Sequence, residues 1–336
     1  TIIPLRLDVL GAQKAPDSLW VTPRVGATLD ATRRNRYAGV VGAVSGPNAS
    51  NIGEGRDEQR IVATEVPAPA TGVVAINKVT ALVRSWFVPG TSPTYRDDSV
   101  AQDVVQVTLT EQAASRFGQG WQLAELGRLV LTNSSGGGLQ FNGAAAAVWL
   151  SGDGSYAVFR KPGSTWVSPP GQTARLVVES LNSAAYVLYL ETGASIGFRA
   201  DGWQRWTRDL VGNYTNFWYE NTTSNRLDSI GDPAGKKIKF AYFMTGKRSG
   251  YAQVMKLNVG ALDTTVAAFD YDTVSNPSAV RLSRIQILTT AVDTSTTRFT
   301  YFGGTAPGAF IDSVIDPRHT TAKPVVSRFL YNATLW

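Results

Sequence analysis

The feature that most constrains this fold is a tyrosine that recurs five times in the second half of the chain. The tyrosines lie 23, 29, 30 and 30 residues apart, each preceded by phenylalanine two positions earlier, and they are Tyr219, Tyr242, Tyr271, Tyr301 and Tyr331. Residues i and i+2 of a strand point to the same face, so each Phe-x-Tyr places two rings on one side. A motif that recurs at an interval of roughly 20–50 residues is typical of stacked supersecondary units. The sequence therefore predicts a repeated β unit with an extended surface.

The composition favours a folded chain that is rich in strands. Its 336 residues are 43% hydrophobic and only 17% charged, which is typical of globular proteins. Thr, Val, Gly, Ser and Asn are abundant, and these residues favour strands joined by turns. Cysteine is absent, which excludes disulfides, thiolate metal sites and a cysteine nucleophile. We expect an all-β fold.

Three segments can be distinguished along the chain. We interpret residues 1–60 as an extended, loop-rich arm with the first strands, because small residues dominate positions 38–55. Residues 61–112 alternate short apolar runs with turn signals, which predicts a small β-sandwich-like domain. A predicted helical turn at 110–117 marks the next boundary. Residues 113–336 then contain one apolar run after another, separated by Asp-Gly and Pro-x-Gly turns that are typical of hairpins.

Several motifs after residue 115 follow a known repeat pattern. They are Phe-Gly-x-Gly-Trp at 117–121, Phe-x-x-Asp-Gly at 198–202, Asp-x-x-Gly-Asn at 209–213 and Arg-Leu-x-x-Ile-x-Asp-Pro-x-Gly at 226–235. This pattern resembles the bacterial RHS/YD-repeat family over roughly residues 115–336, and it drifts after residue 242. The resemblance implies exported β proteins whose repeats form a long sheet that spirals into a shell. Some such shells enclose a C-terminal toxin, and related repeats serve in adhesion.

The repeats of this chain are too few to close a shell around a folded domain. An open sheet leaves an apolar face and an edge that need cover, so we expect that either the chain is truncated or a partner supplies that cover. The first residues lack the basic region of a signal peptide, so we expect a mature form or a fragment. The resemblance predicts an exported protein, either periplasmic or at the cell surface or extracellular.

Candidate interaction residues lie among the tryptophans and at the end of the repeats. Trp203 and Trp206 differ by three positions, so they face opposite sides of a strand, and one of them is a candidate surface anchor. Aromatic residues in β repeats more often fill the interior, because each ring buries a large area. Tyr331 and Trp336 lie at the end of the tyrosine series, where we expect a partner to complete the sheet.

A basic cluster provides a third candidate surface. Arg33, Arg34 and Arg36 lie close together in a chain whose formal net charge is +6. Such a charge suits other protein subunits with acidic surfaces or an anionic membrane surface. We expect no nucleic-acid binding, because neither a basic stripe nor a known nucleic-acid-binding fold accompanies the charge.

No set of residues predicts catalysis, a cofactor or a metal. His319 is the single histidine and follows Asp312 and Asp316, but no serine nucleophile motif accompanies it, and we interpret it as a turn residue. Asp270 and Asp272 have a spacing that suits Ca²⁺, and we expect solvation of these side chains instead. We therefore expect neither an enzyme nor a cofactor-binding or metal-binding protein.

Three functions are compatible with these patterns. The sequence favours a non-catalytic extracytoplasmic scaffold that binds and braces a larger protein assembly, including as a membrane-extrinsic subunit. The alternative is the front fragment of an RHS-type toxin-delivery or adhesion shell. A third option is a glycan-binding module, since aromatic side chains in β repeats can stack on sugars.

Overall fold

The fold is known from a computed structural model that describes most of the chain. The described residues are 2–9, 18–25, 28–29, 35–38, 58–65, 74–87, 94–107, 116–118, 121–132, 137–221, 226–260, 262–275, 278–288, 294–302, 311–318 and 325–329. The predicted helical turn lies outside them except for its last two residues, and the small-residue stretch at 38–55 lies outside them except for Ala38.

Every regular element among the described residues is a β-strand. The strands are β1 (Ile2–Val9), β2 (Ser18–Val25), β3 (Thr28–Leu29), β4 (Asn35–Ala38), β5 (Glu58–Glu65), β6 (Val74–Phe87), β7 (Thr94–Val107), β8 (Arg128–Val130), β9 (Gln140–Phe141), β10 (Ala144–Leu150), β11 (Tyr156–Lys161), β12 (Arg175–Leu181), β13 (Ala184–Tyr189), β14 (Ser195–Phe198), β15 (Gln204–Arg208), β16 (Tyr214–Tyr219), β17 (Leu227–Gly231), β18 (Lys237–Tyr242), β19 (Ala252–Val259), β20 (Leu262–Ser275), β21 (Ser278–Leu288), β22 (Thr294–Tyr301), β23 (Ile311–Ile315) and β24 (Val326–Arg328). The predicted all-β fold is confirmed.

The chain forms two compact units. The first consists of residues 1–108 with 140–143, and the second of residues 109–139 with 144–336. In the first unit β1 pairs with β5, while β3, β2, β6 and β7 form a second antiparallel sheet in that order, with β4 also on β2. Strands from the predicted arm therefore share sheets with strands from the segment predicted as a sandwich-like domain.

The second unit is dominated by one sheet of 13 strands, β12 to β24, in which each strand lies next to the strand that follows it in sequence. All of its pairings are antiparallel. This long antiparallel array was expected from the repeated Phe-x-Tyr motif, and it is confirmed. A smaller sheet, in the order β11–β10–β8, accompanies it.

Five hairpin turns of this unit share one hydrogen-bond pattern. In the turn from Asp209 to Asn213, the Asp209 amide donates to the Asn213 carbonyl and the Gly212 amide donates to the Asp209 carbonyl. The same two bonds close the turns at 151–155, 190–194, 199–203 and 232–236. The fourth residue of each turn is a glycine with φ between 83° and 93°, a conformation that an L side chain rarely adopts. The predicted Asp-Gly and Pro-x-Gly turns are therefore present.

A β-bulge accompanies each described tyrosine of the series. The pairing shifts between Trp218 and Tyr219, and it shifts at the equivalent step before Tyr242, Tyr271 and Tyr301. In the first case Tyr219 pairs with Leu227 and Trp218 pairs with Ser229, so the extra residue lies on the following strand. Bulges bend a strand and increase its twist, so each repeat adds a bend at the same place.

Residues 116–118 and 121–131, which we call the covering segment, pack against the tyrosine-bearing face of the long sheet. Phe117 lies edge-on to Phe240 and Phe269, with ring centroids 5.9 and 5.5 Å apart. Trp121 packs on Phe299 at 4.6 Å. From the sequence we expected that either the chain is truncated or a partner supplies the cover of the apolar face. That expectation is wrong for this part of the face, because the same chain covers it.

The beginning of the long sheet is covered by the smaller sheet. Leu129, Ala147 and Phe159 come from β8, β10 and β11, and they are buried against Leu188 and Phe198 of the long sheet. The core of the second unit is thus a two-layer arrangement here and a sheet with a covering segment further along.

Candidate functional site

The tyrosines of the series tie neighbouring repeats together. Three hydroxyl groups donate to a backbone carbonyl in the preceding repeat, namely Tyr219 to Gln204 at 2.8 Å, Tyr242 to Leu227 at 2.5 Å and Tyr301 to Leu282 at 2.5 Å. Each acceptor lies at the bulge of the preceding repeat. There it pairs with the last aromatic residue of that repeat. The hydroxyl of one repeat therefore fixes the bulge of the previous repeat.

Tyr271 departs from this pattern. Its hydroxyl is buried and has no hydrogen-bond partner among the described residues. The covering segment passes here: the Ala252 amide donates to the Arg116 carbonyl at 2.8 Å, and a Cβ added to Gly118 would lie 3.3 Å from Cε1 of Tyr271. The covering segment and the tyrosine series thus meet at this repeat.

Burial keeps these hydroxyls protonated at neutral pH. Loss of solvent raises the pKa of Tyr219, Tyr242 and Tyr271 well above the usual value, and it raises the pKa of Tyr301 to about 12. A neutral hydroxyl can donate to a carbonyl, which is what three of the four do. These tyrosines are therefore structural groups and not acid–base catalysts.

Trp203 and Trp206 are both buried, so the prediction that one of them is a surface anchor is wrong. Only 8% of Trp203 and 0% of Trp206 is exposed. The two rings do lie on different faces, since Trp203 packs under the Arg128 guanidinium, whereas Trp206 packs with Val187. Trp206 also occupies the space beside Gly197, where a Cβ would lie 2.2 Å from the ring. Both faces are covered at β15, and this is why neither ring reaches the surface.

Most other predicted interaction residues lie outside the described residues. Arg33, Arg34, Tyr331 and Trp336 are among those outside. The backbone of Arg36 lies in β4, where it pairs with Trp20 of β2. The proposed roles of these residues stay predictions.

Two of the four acidic residues that the sequence singled out, Asp270 and Asp316, are engaged by basic groups. Arg248 contacts Asp270 at 2.9 Å, and Arg284 also pairs with it. Arg318 donates two side-chain hydrogen bonds to Asp316 and holds the pKa of that carboxyl at about 2. His319 lies outside the described residues. No group of three or more His, Asp or Glu side chains is placed to hold a metal within the part of the chain that the structure describes.

A pocket at one end of strands β13–β16 was not predicted from the sequence. Its volume is about 380 Å³, and it is lined by Ser183, Arg199, Arg205, Trp218, Tyr219 and Asn221. We call it the arginine pocket. Several strand ends supply these residues, so their proximity depends on the sheet and is invisible in the sequence.

The position of Arg205 explains why the pocket exists. Gly197 pairs with Trp206 and Phe198 pairs with Gln204, so Arg205 is the extra residue of a bulge. Its guanidinium donates to the Phe217 carbonyl at 2.8 Å. The bulge therefore directs a cation towards the end of β16.

The arginine pocket is positively charged. Both Arg199 and Arg205 line it, and among the residues that the structure describes no carboxylate does. Arg199 pairs with Asp201 at 2.5 Å and lies 5.0 Å from the centroid of the Tyr219 ring. Arg205 lies 5.9 Å from the centroid of Trp218. Two guanidinium groups against two aromatic walls form a site that attracts anions.

A second surface feature lies on strands β19–β21. Four apolar side chains that are substantially exposed share the face that carries Met255 and Phe240, and they are Leu257, Val259, Leu262 and Ile287. Leu262 is 73% exposed and Ile287 is 51% exposed. We call these four residues the apolar patch.

Neither sequence comparison indicates a function for this chain. Neither the protein-family models nor the curated protein sequences contain a match to this chain. Within the described residues, no helix has the length and apolar character needed to cross a membrane. The arginine pocket and the apolar patch are therefore the surfaces from which we infer a function.

Proposed function

We propose that this chain is a non-catalytic structural protein of the RHS/YD-repeat type that binds and braces a larger protein assembly outside the cytoplasm. The main support is the joint that recurs from repeat to repeat, in which a bulge precedes a buried tyrosine, and in three of four cases its hydroxyl binds the preceding repeat. Such joints hold neighbouring units at a fixed angle and create an extended surface, which is the property a scaffold needs.

The apolar patch is the surface on which we place the partner protein. Its four side chains share one face of the sheet and project towards solvent. Lys239 and Asp263 form an ion pair at 3.1 Å on the opposite face of the same strands. Exposed apolar side chains that share one face are typical of protein–protein contacts. A protein surface fits this face better than an anionic lipid surface, because Lys239 and Lys256 lie on the opposite face and do not give the patch a basic rim.

Two substitutions test this proposal. Leu262→Asp places a charge in the apolar patch, and Val211→Asp is the matched control, because Val211 is 82% exposed in a turn far along the sheet from the patch. Tagged wild-type and variant chains would be expressed in the native cells, cross-linked and purified, and their partners identified and quantified by mass spectrometry. Far-ultraviolet circular dichroism would check that each variant is folded.

We expect wild-type and Val211→Asp chains to recover the same protein partner at a fixed stoichiometry, and Leu262→Asp to lose it. Recovery of monomeric chains in all three cases would contradict the proposal. Equal recovery with Leu262→Asp would remove the apolar patch from it. Binding of purified wild-type chain to anionic vesicles, with no protein partner, would replace the scaffold by a membrane-surface protein.

A further inference from the structure

The arginine pocket has the charge of an anion site, and its guanidinium groups are of a kind that binds carboxylates. Arg199 and Arg205 present planar guanidinium groups, which match carboxylate oxygens with paired hydrogen bonds. Asp201 balances one of these two positive charges. Lys237 adds a further positive charge near the pocket, because its Nζ lies 4.6 Å from the centroid of Trp218. These four groups leave a net charge of +2 at the pocket, which favours an anionic ligand.

The remaining lining suits a polyhydroxylated ring. Trp218 and Tyr219 supply aromatic walls, and Ser183 and Asn221 supply a hydroxyl and an amide. A volume of about 380 Å³ is at the lower end of the range for small-ligand pockets, roughly 300–1,000 Å³. Apolar walls with a few polar groups at fixed positions are the usual composition of such sites.

A peptide fits the surroundings less well than a sugar. Strands β13–β16, whose ends form the pocket, are each paired on both sides within the long sheet. An extended peptide gains most of its affinity by pairing with an unpaired strand edge, and these strands offer none. Recognition must therefore come from side chains alone.

We propose that the arginine pocket binds a uronic acid unit of an acidic glycan. In this arrangement Arg199 and Arg205 hold the sugar carboxylate, and Trp218 packs against the ring. Ser183 hydrogen-bonds to a sugar hydroxyl. This site lies on strands different from those of the apolar patch. Binding of a glycan here is therefore independent of the proposed scaffold function.

The test is calorimetric titration of the full chain with a tetramer of galacturonic acid. The neutral tetramer maltotetraose controls for the sugar ring, and sodium acetate, inorganic phosphate and a tetrapeptide with a free C-terminal carboxylate control for the anion. Arg205→Gln removes one guanidinium. Arg208→Gln is its matched control, because Arg208 lies on the same strand and also contacts an aromatic ring, Tyr214, but does not line the pocket.

We expect the galacturonate tetramer to bind and maltotetraose not to bind. Loss of a charge-assisted contact should weaken binding by about tenfold or more in Arg205→Gln, and Arg208→Gln should retain the wild-type affinity. Ser183→Asp provides a second test that leaves the core intact, because it adds a negative charge at a turn. It should abolish binding even if Arg205→Gln fails to fold.

Three results would overturn the assignment. No heat of binding with the galacturonate tetramer at millimolar concentration would remove the site. Acetate or phosphate that binds as tightly and displaces the tetramer would reduce it to a general anion site. Tighter binding of the carboxylate peptide would assign the pocket to a protein terminus. Leu262→Asp should not alter any of these titrations, which separates this test from that of the scaffold function.

Discussion

Removing a single hydroxyl from the tyrosine series should have opposite effects at two positions of the same type. Tyr242 donates its hydroxyl proton to the Leu227 carbonyl at 2.5 Å, and both the ring and the hydroxyl are buried. Tyr271 occupies the equivalent place one repeat later, but its buried hydroxyl has no partner among the described residues. Phenylalanine keeps the ring in both cases, so the pair Tyr242→Phe and Tyr271→Phe isolates the hydrogen bond.

The magnitudes follow from the cost of unpaired polar groups. A typical intramolecular hydrogen bond contributes about 0.5–1.5 kcal/mol net, and a buried polar group left without a partner costs about 1–3 kcal/mol. Tyr242→Phe loses the bond and leaves the Leu227 carbonyl with one acceptor position unfilled, so we expect a loss of about 1–2 kcal/mol. Tyr271→Phe removes a group that is already unpaired, so we expect no loss and a gain of up to about 1 kcal/mol.

The assay is equilibrium unfolding in urea, followed by tryptophan fluorescence and by circular dichroism. The shift of the midpoint at constant slope gives the change in the free energy of unfolding. Tyr219→Phe serves as a repeat of the Tyr242 experiment, because its hydroxyl also donates to a carbonyl, at 2.8 Å. Equal losses for Tyr242→Phe and Tyr271→Phe would refute the reasoning, since the paired hydroxyl of Tyr242 would then contribute no more to stability than the unpaired hydroxyl of Tyr271.

Two further predictions concern packing and pH. Gly202→Ala should lower the free energy of unfolding in urea more than Gly235→Ala does. Both glycines have φ near +84° (83° and 85°), but a Cβ at Gly202 would lie 1.8 Å from the Leu129 carbonyl oxygen, whereas nothing lies within 4 Å of a Cβ at Gly235. At Gly235 the backbone strain of the alanine variant alone is worth about 1–2 kcal/mol. Equal losses at the two positions would show that the covering segment does not pack on the turn at Gly202. Burial raises the pKa of Tyr301 to about 12, above the value of about 10 for an unfolded tyrosine. Its contribution to the free energy of unfolding is therefore complete below pH ~10 and is lost as the pH rises towards 12. Urea unfolding as a function of pH, with tyrosinate absorbance as the probe of ionisation, should place the decline above pH ~10. A decline between pH 7 and 9 would contradict this assignment.

The sequence was sufficient to predict local structure. The turn at Asp201-Gly202 and the run Phe217-Trp218-Tyr219 act through nearest neighbours, because a glycine permits positive φ and alternation fixes the face of a strand. These signals predicted the fold class and the repeat. Trp203 and Trp206 lie on opposite faces, as the alternation predicted, although the bulge at Arg205 interrupts the alternation between them. Alternation also carried no information about what covers each face.

Long-range features could not be predicted in this way. The bulges have no common residue type, as Arg205 and Asp228 illustrate, and so the register of the following strand was not visible. The arginine pocket depends on the bulge at Arg205. The covering segment was likewise missed, because Phe117 contacts Phe240 and Phe269 only after the sheet has formed.

Repeat length links the tyrosine series to the apolar patch. The hydroxyl donor and its acceptor are 15 residues apart for Tyr219 and Tyr242, but 19 residues apart for Tyr301. Four additional residues lengthen a hairpin by two residues on each strand, and an even number preserves the face to which every side chain points. The later repeats can therefore lose the Asp-Pro-x-Gly turn and still keep the joint.

The longer hairpins also extend beyond the residues that the covering segment buries. Met255 packs against the covered cluster, while Leu257 and Val259, two and four positions further along the same face of β19, are exposed. If β19 only completed the core, it would end soon after Met255 and would be short, like β17 and β18. The apolar patch is thus the direct consequence of added strand length, which is why we assign it to contact with a partner and the tyrosine series to internal support.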